Sequence, residues 1–194
     1  MVFPISEEVD NRSDAEIAKL VQQGDRWSFR VLVERFTPKL ERYSRTFLFT
    51  KEQREDLLQD IFLKAYTHLQ DYDSERPFSP WIYRIAHNTF VNAIRSKVRA
   101  PVFSVDWDMV FPHPFSKERT DTEWKNKELT EEMEQCMAEL DEKYREPLLL
   151  YHFQELSYDE ISDILHIPVS TVGVRITRAR AKLKDICERH GITL

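Results

Sequence analysis

The sequence is poor in glycine, cysteine and long apolar stretches, and each shortage excludes a class of protein. Its 194 residues include only three glycines, Gly24, Gly173 and Gly191, which lie too far apart to form a glycine-rich phosphate-binding loop. A dinucleotide-binding fold and a P-loop enzyme are therefore not expected. Scarce glycine instead suits a helical protein, because glycine destabilises helix interiors.

The two cysteines, Cys136 and Cys187, lie far apart, and neither is in a spacing typical of zinc sites or redox pairs. We interpret both as small apolar residues in a reducing compartment. The N-terminus lacks the basic and apolar stretches of a signal peptide. No apolar run approaches the ~20 residues that span a bilayer. These shortages predict a cytoplasmic protein with no membrane insertion.

The net charge is −6, but basic residues are concentrated in two segments. Every Asp, Glu, Lys or Arg between residues 84 and 99 is basic, and a second segment from 175 to 189 carries six basic residues against two acids. Two basic segments in an otherwise acidic chain indicate contact with nucleic acid more strongly than the total charge argues against it.

Three capping boxes indicate helix starts: Ser13 with Glu16, Thr50 with Gln53, and Ser157 with Glu160. Each precedes helical periodicity, and no segment alternates as a strand does. The fold class predicted is all-α, with two small helical domains joined by a proline-containing linker. The predicted helices cover residues 14–23, 27–49, 51–69, 79–98, 122–140, 141–153, 158–165 and 170–189.

The predicted organisation is an N-terminal tail at 1–12, a first domain at 13–99, a linker at 100–121 and a second domain at 122–194. Pro101, Pro112 and Pro114 mark the linker, because proline ends helices and favours extended backbone before it. The apolar residues of the linker leave two interpretations open. It packs on a neighbouring domain, or it lies in a groove of a partner.

The segment Leu156–Arg180 is typical of a helix-turn-helix. The first helix is expected to bury Ile161, Ile164 and Leu165, the turn covers residues 166–169, and the second helix has apolar residues at helical spacing on one face. Thr171, Val174, Arg175 and Arg178 then point outward, in the half of the helix that meets base edges. A plain helical hairpin with a solvated basic face is the simpler alternative. The short turn, the cap and the outward arginines together favour DNA binding.

Two helices of the first domain also carry unusual outer faces. The helix at 51–69 is expected to bury Leu57, Leu58, Ile61, Phe62, Ala65, Tyr66 and Leu69, and its other face mixes polar residues with Leu63. The next helix presents Arg84, Asn88, Val91 and Arg95, whose cations and amides suit phosphates and base edges. The nearby aromatics Tyr72, Phe78 and Trp81 either stack on single-stranded bases or belong to the core, and for Trp81 the core is favoured.

These motifs resemble those of bacterial RNA polymerase sigma factors of the sigma-70 family. Asp56–Tyr66 (DLLQDIFLKAY) is similar to the polymerase-binding helix of region 2.2, and Pro80–Asn88 (PWIYRIAHN) to the start of the helix in region 2.4 that recognises the −10 element. The helix-turn-helix resembles region 4.2, which recognises the −35 element. The order matches, and regions 1.1 and 3 have no counterpart, so the chain is identified as resembling the small extracytoplasmic-function (ECF) type.

The resemblance implies a factor that binds core RNA polymerase, at the beta-prime clamp helices and the beta flap, and promoter DNA, without a cofactor, metal or catalytic residue. The implied polymerase-binding residues are Asp56, Gln59, Asp60, Leu63 and Lys64. The implied −10 residues are Ser74, Arg76, Phe78, Arg84, His87, Asn88, Asn92 and Arg95. The implied −35 residues are Ser170, Thr171, Val174, Arg175, Arg178, Arg180 and Lys182. An anti-sigma factor is a usual partner in this family, and no residue here identifies one.

Three positions depart from common family patterns. Gly173 stands where many relatives carry a basic residue, which leaves the −35 specificity open, and His87 and Asn92 replace residues that are often Arg and Asp.

Two alternatives remain to be weighed. A conventional helix-turn-helix regulator with an N-terminal effector domain would explain only the C-terminal half. An enzyme is not expected, because the six histidines form no metal-spaced pair and no nucleophile–base pair is recognisable.

Overall fold

The computed structural model describes residues 11–47, 49–99, 133 and 135–192, and every regular element in those residues is helical. This confirms the all-α prediction. The first part holds α1 (Asp14–Gln22), a 3-10 helix (Arg26–Ser28), α2 (Phe29–Ser44), α3 (Lys51–Thr67), a 3-10 helix (Leu69–Asp71) and α4 (Phe78–Arg99). The second holds α5 (Glu142–Phe153), α6 (Tyr158–Leu165) and α7 (Val169–Arg189). None of these helices is long and apolar enough to cross a membrane.

The three capping boxes form as predicted. The hydroxyls of Ser13, Thr50 and Ser157 accept from the backbone N–H three residues later, and the Glu16, Gln53 and Glu160 side chains accept from the cap backbone in return. Each box satisfies two otherwise unpaired donors at the helix N-terminus. The sequence therefore specifies the starts of α1, α3 and α6 locally.

The helix predicted at 27–49 starts close to its predicted residue but ends earlier than predicted. It begins as the 3-10 turn Arg26–Ser28 and its α-helical part ends at Ser44. The Ser44 hydroxyl donates to the Glu41 carbonyl at 2.6 Å, and this bond competes with continuation of the helix. The predicted helix at 122–140 lies mostly outside the described residues, as do the tail at 1–10 and the linker at 100–121.

Two compact units divide the described residues, one mainly before residue 100 and the other mainly after it. In the first unit, α3 packs along α4 over an aromatic core that includes Tyr43, Tyr83 and Phe90, all fully buried. The Gln22 amide donates to the carbonyls of Leu69 (2.8 Å) and Tyr72 (2.7 Å), so the end of α1 holds the segment that leads into α4. This core positions the outer faces of α3 and α4.

In the second unit, α5 packs along α7. The apolar positions predicted for α7 largely form its buried face, since Val172, Ile176 and Ala179 are fully buried and Leu183 is half-buried. Cys136 and Cys187 are both buried free thiols, which fits their interpretation as small apolar residues.

Candidate nucleic-acid interface

The outer face of α4 carries the polar residues that the sequence predicts. Arg84, Asn88, Asn92 and Arg95 are all exposed, and their spacing of three or four residues places them along one side of the helix. His87 is half-buried, and its Nδ1 lies 3.5 Å from the Tyr43 hydroxyl. The exposed face combines two cations with two amides, which suits contact with phosphates and base edges.

The loop that precedes α4 is held in shape by hydrogen bonds. The Asp73 carboxylate accepts from the Glu75 N–H at 3.1 Å and lies 3.4 Å from the Arg76 guanidinium. The Tyr72 hydroxyl donates to the Arg76 carbonyl from the core side. Burial, with the Asp73 and Asp14 carboxylates, raises the pKa of Tyr72 to about 12, so the hydroxyl stays protonated as a donor. The loop is thus preformed before any partner arrives.

Phe78 does not belong to this surface. Its side chain is 2% exposed and its ring contacts the rings of Phe36, Tyr72 and Trp81 at 5.2–5.4 Å. The Phe78 ring is therefore part of the core in this structure, and its contact with DNA stays a prediction. Burial of this aromatic ring at the start of α4 stabilises the fold. Trp81 is half-buried and lies against Tyr72 and Phe78, as the core interpretation expects.

The outer face of α3 carries an exposed apolar side chain among polar ones. Leu63 is 65% exposed, and Asp56 and Gln59 are exposed near it. The Lys64 ammonium lies 2.7 Å from the Asp60 carboxylate and 3.2 Å from the Thr89 hydroxyl, so it bridges α3 to α4. The Lys64 side chain therefore helps to hold α3 against α4.

Two aromatic residues of this unit are also exposed, and neither exposure was predicted from the sequence. Tyr66, expected in the core, is 38% exposed, with its ring edge on Phe29 at 5.1 Å. Trp27, in the 3-10 turn just before Phe29, is 75% exposed. Its place as the first residue of the predicted helix gave no signal of exposure, because large aromatics usually bury.

The turn between α6 and α7 has the geometry of a helix-turn-helix. His166 adopts a left-handed conformation with φ of 53°, and the Ser162 hydroxyl donates to the Ile167 carbonyl at 2.6 Å. The Pro168 carbonyl accepts from the N–H groups of Thr171 (2.8 Å) and Val172 (3.1 Å), which starts α7. Proline has a backbone that is preset for this position next to a helix start.

The residues predicted on the outer face of α7 separate into those that point to solvent and those that contact α5. In the first group, Ser170, Val174 and Arg178 are exposed, and Thr171 and Arg175 are half-buried. Arg180 instead lies against α5, where its Nε donates to His152 Nε2 at 3.1 Å and its guanidinium lies 5.4 Å from the Tyr151 ring. The Lys182 ammonium lies 5.5 Å from the Tyr144 ring. Both predicted −35 residues thus contact α5 in this structure.

Gly173 faces an aromatic ring rather than solvent alone. A Cβ atom at this position would lie 3.4 Å from Cε2 of Tyr158, the first residue of α6. Tyr158 in turn contacts the Tyr151 ring at 5.2 Å. The absence of a side chain at Gly173 therefore leaves the Tyr158 ring close to the backbone of α7. Among the described residues, no group of three or more His, Cys, Asp or Glu side chains is arranged to hold a metal ion.

Two family models match most of the chain. Residues 32–100 match the family model of Sigma-70 region 2, and residues 130–183 match that of Sigma-70, region 4. The chain is 31% identical to the ECF RNA polymerase sigma factor SigW of Bacillus subtilis over 86% of this chain and 92% of SigW. It is 33% identical to the ECF RNA polymerase sigma-E factor of Escherichia coli K12, over 89% of this chain and 93% of that protein.

A solved structure shares the fold. CnrH, in its complex with the cytosolic domain of CnrY, matches with a TM-score of 0.63 and 24% identity, over 92% of this chain and 99% of CnrH.

Proposed function

The chain belongs to the ECF sigma factors of the sigma-70 family, which direct RNA polymerase to promoters, and we propose how its two units share this task. The observation that carries the proposal is the presence of two exposed basic helix faces, on α4 and on α7, in separate compact units. Two basic faces in separate units are suited to contact with two separated DNA elements.

The first unit is proposed to bind core polymerase through α3. Leu63, with Asp56, Gln59 and Asp60 around it, offers an apolar centre with a polar rim, which is the usual anatomy of a protein interface. Tyr66, one helical turn after Leu63 on α3, adds exposed aromatic area, and exposed aromatics are frequent anchors in interfaces. By family likeness the partner surface is the beta-prime clamp helices, with the beta flap as the partner of the second unit.

The same unit is proposed to recognise the −10 element through the preformed loop and α4. Ser74 and Arg76 lie on the loop, and Arg84, Asn88, Asn92 and Arg95 follow along α4. Opening a duplex and turning a base outward costs a few kcal/mol, which contacts to the extruded base must offset. A loop already fixed by Tyr72 and Asp73 loses little conformational entropy on binding.

The second unit is proposed to recognise the −35 element through the N-terminal half of α7. Ser170, Thr171, Val174, Arg175 and Arg178 carry this surface. Arg180 and Lys182 remain proposed phosphate contacts that must leave His152 and Tyr144 to reach DNA. Because Arg175 is half-buried and Arg178 is exposed, Arg178 has the greater freedom to reach a base edge.

The domain boundaries of 13–99 and 122–194, with a linker at 100–121, are proposed to frame these two units. We place the chain in the cytoplasm, where DNA-bound polymerase is found, and assign it no catalytic step. An anti-sigma factor is proposed as a further partner. The solved structure of RpoE from Bartonella quintana with the anti-sigma factor NepR, 22% identical to this chain, gives a precedent within the fold.

The spacing between the two DNA elements tests the bipartite model. Promoters are first selected from a random pool with reconstituted holoenzyme, and about 5 base pairs, half a helical turn, are then inserted between the elements. Transcription should collapse, because one major groove is rotated away from its helix, and a full-turn insertion should not restore it completely. Transcription that survives the half-turn insertion while both elements are still required would contradict the model.

A further inference from the structure

Val174 is a large apolar side chain exposed in the middle of the proposed recognition face. It is 48% exposed on α7, with Thr171 three residues before it and Arg178 four residues after it on the same side of the helix. Single exposed apolar residues are common on protein surfaces and need no special role. This one differs by its place, since its neighbours on that side are the hydroxyl and guanidinium groups proposed to face the major groove.

The chemistry of valine limits what it could contact in a major groove. Its isopropyl group neither donates nor accepts a hydrogen bond, and the main apolar feature of the groove is the C5-methyl group of thymine. Valine is also stiff at χ1 in a helix, so its methyl groups occupy a fixed position and lose little rotamer freedom on binding. The two methyl groups of valine, held in one position, are therefore suited to pack on the thymine methyl group, which is also fixed in position.

We propose that Val174 determines specificity for the upstream DNA element by packing on the C5-methyl group of one thymine in that element. The inference rests on the proposed function of α7. Gly173 supports it, because the residue just before Val174 has no side chain, and a Cβ there would lie 3.4 Å from the Tyr158 ring. No long side chain at position 173 covers the flank of Val174 on the way to the groove.

Deoxyuridine substitution tests this contact, because uracil differs from thymine only by the missing methyl group. Holoenzyme is bound to duplex promoter in which each thymine of the upstream element is replaced singly. One replacement should weaken binding about four-fold, as expected for the burial of one methyl group. With Val174→Ala holoenzyme the same replacement should have little effect, since the partner of the methyl group is gone.

Two controls keep the outcomes distinct. Arg178→Ala should weaken binding to the upstream element and keep the deoxyuridine effect, since it removes a different contact. Circular dichroism should show Val174→Ala fully helical, because alanine is the better helix former at an exposed site.

The results separate two kinds of failure. If no thymine responds, or if Val174→Ala keeps the full deoxyuridine loss, Val174 faces something other than a thymine and the inference is wrong, while an effect of Arg178→Ala leaves the function of α7 standing. If the wild-type holoenzyme does not require the upstream element at all, the inference about Val174 and the proposed function of α7 are both wrong.

Discussion

The Arg180 guanidinium donates from Nε to Nε2 of His152 at 3.1 Å, and this bond ties α7 to α5. The acceptor nitrogen must be unprotonated to take part. Burial first, and then the positive charge of Arg180, lower the pKa of His152 from its ordinary 6.5. The contact therefore couples the protonation of one surface histidine to the position of a basic side chain on α7.

This coupling predicts a pH dependence of stability. The unfolded chain takes up a proton at the ordinary histidine pKa of 6.5, whereas the folded protein takes it up at lower pH. Stability from this group is thus complete above pH 6.5 and decreases as the pH falls below it. The effect should be small, because His152 remains on the surface.

In thermal unfolding at pH 7.5 and 5.5, the melting temperature of His152→Gln should fall less between the two pH values than that of the wild type. His68→Gln, an exposed histidine on the other unit, is the matched control. Equal behaviour of the two variants would exclude the Arg180 contact as the source.

Truncation of Leu63 should weaken polymerase binding. Leu63→Ala removes the exposed centre of the α3 surface, and we expect a loss of about 1–2 kcal/mol, roughly five- to thirty-fold in affinity, as for the minority of interface residues that act as anchors. The measurement is the affinity of the full chain for core polymerase. Val174→Ala, which truncates an exposed apolar side chain on α7, should leave that affinity unchanged. A loss of the same size in both variants would argue that α3 has no special role.

The Tyr72 hydroxyl should matter for DNA more than for folding. Tyr72→Phe removes only the donor that holds the Arg76 carbonyl, at a cost to stability of about 1 kcal/mol. Because the loop is then less well fixed, holoenzyme should bind the single-stranded −10 element several-fold more weakly. Tyr144→Phe in the second unit is the control of the same chemistry. If Tyr72→Phe binds the single strand as tightly as the wild type, the loop does not belong to the DNA-binding surface.

Removal of cations from α4 should reduce the salt dependence of promoter binding. Arg84→Ala and Arg95→Ala should each lower the slope of log affinity against log salt by about one, because each phosphate contact releases about one counterion. Arg30→Ala serves as the control, since Arg30 is exposed on α2 and pairs with Glu34 at 2.6 Å. A slope that changes equally in all three variants would show only a loss of total charge.

Local signals explain what the sequence could predict. Ser13, Thr50 and Ser157 each form their capping contacts within four residues, so the starts of three helices were predictable without knowledge of the tertiary fold. The exposure of Leu63 and of the α4 face followed from helical periodicity.

Tertiary contacts explain what the sequence could not predict. Phe78 was assigned to DNA because it lies beside a basic helix, but packing against Phe36 and Tyr72 determines its place. Arg180 and Lys182 have long side chains whose direction depends on aromatic residues of α5, about thirty to forty residues earlier in the chain. Periodicity gives the side of a helix and not the neighbour that a flexible side chain selects.

The capping boxes also bear on the order in which the chain acquires structure. Each box closes between residues three apart, so it needs no contact from the opposite end of the chain. As the polypeptide leaves the ribosome from its N-terminus, α1 and α3 can start in register before α6 has been synthesised. Contacts of such short range favour rapid folding. The start of α3, the helix proposed to bind polymerase, is thereby specified in the nascent chain well before the unit proposed to bind the upstream DNA element exists.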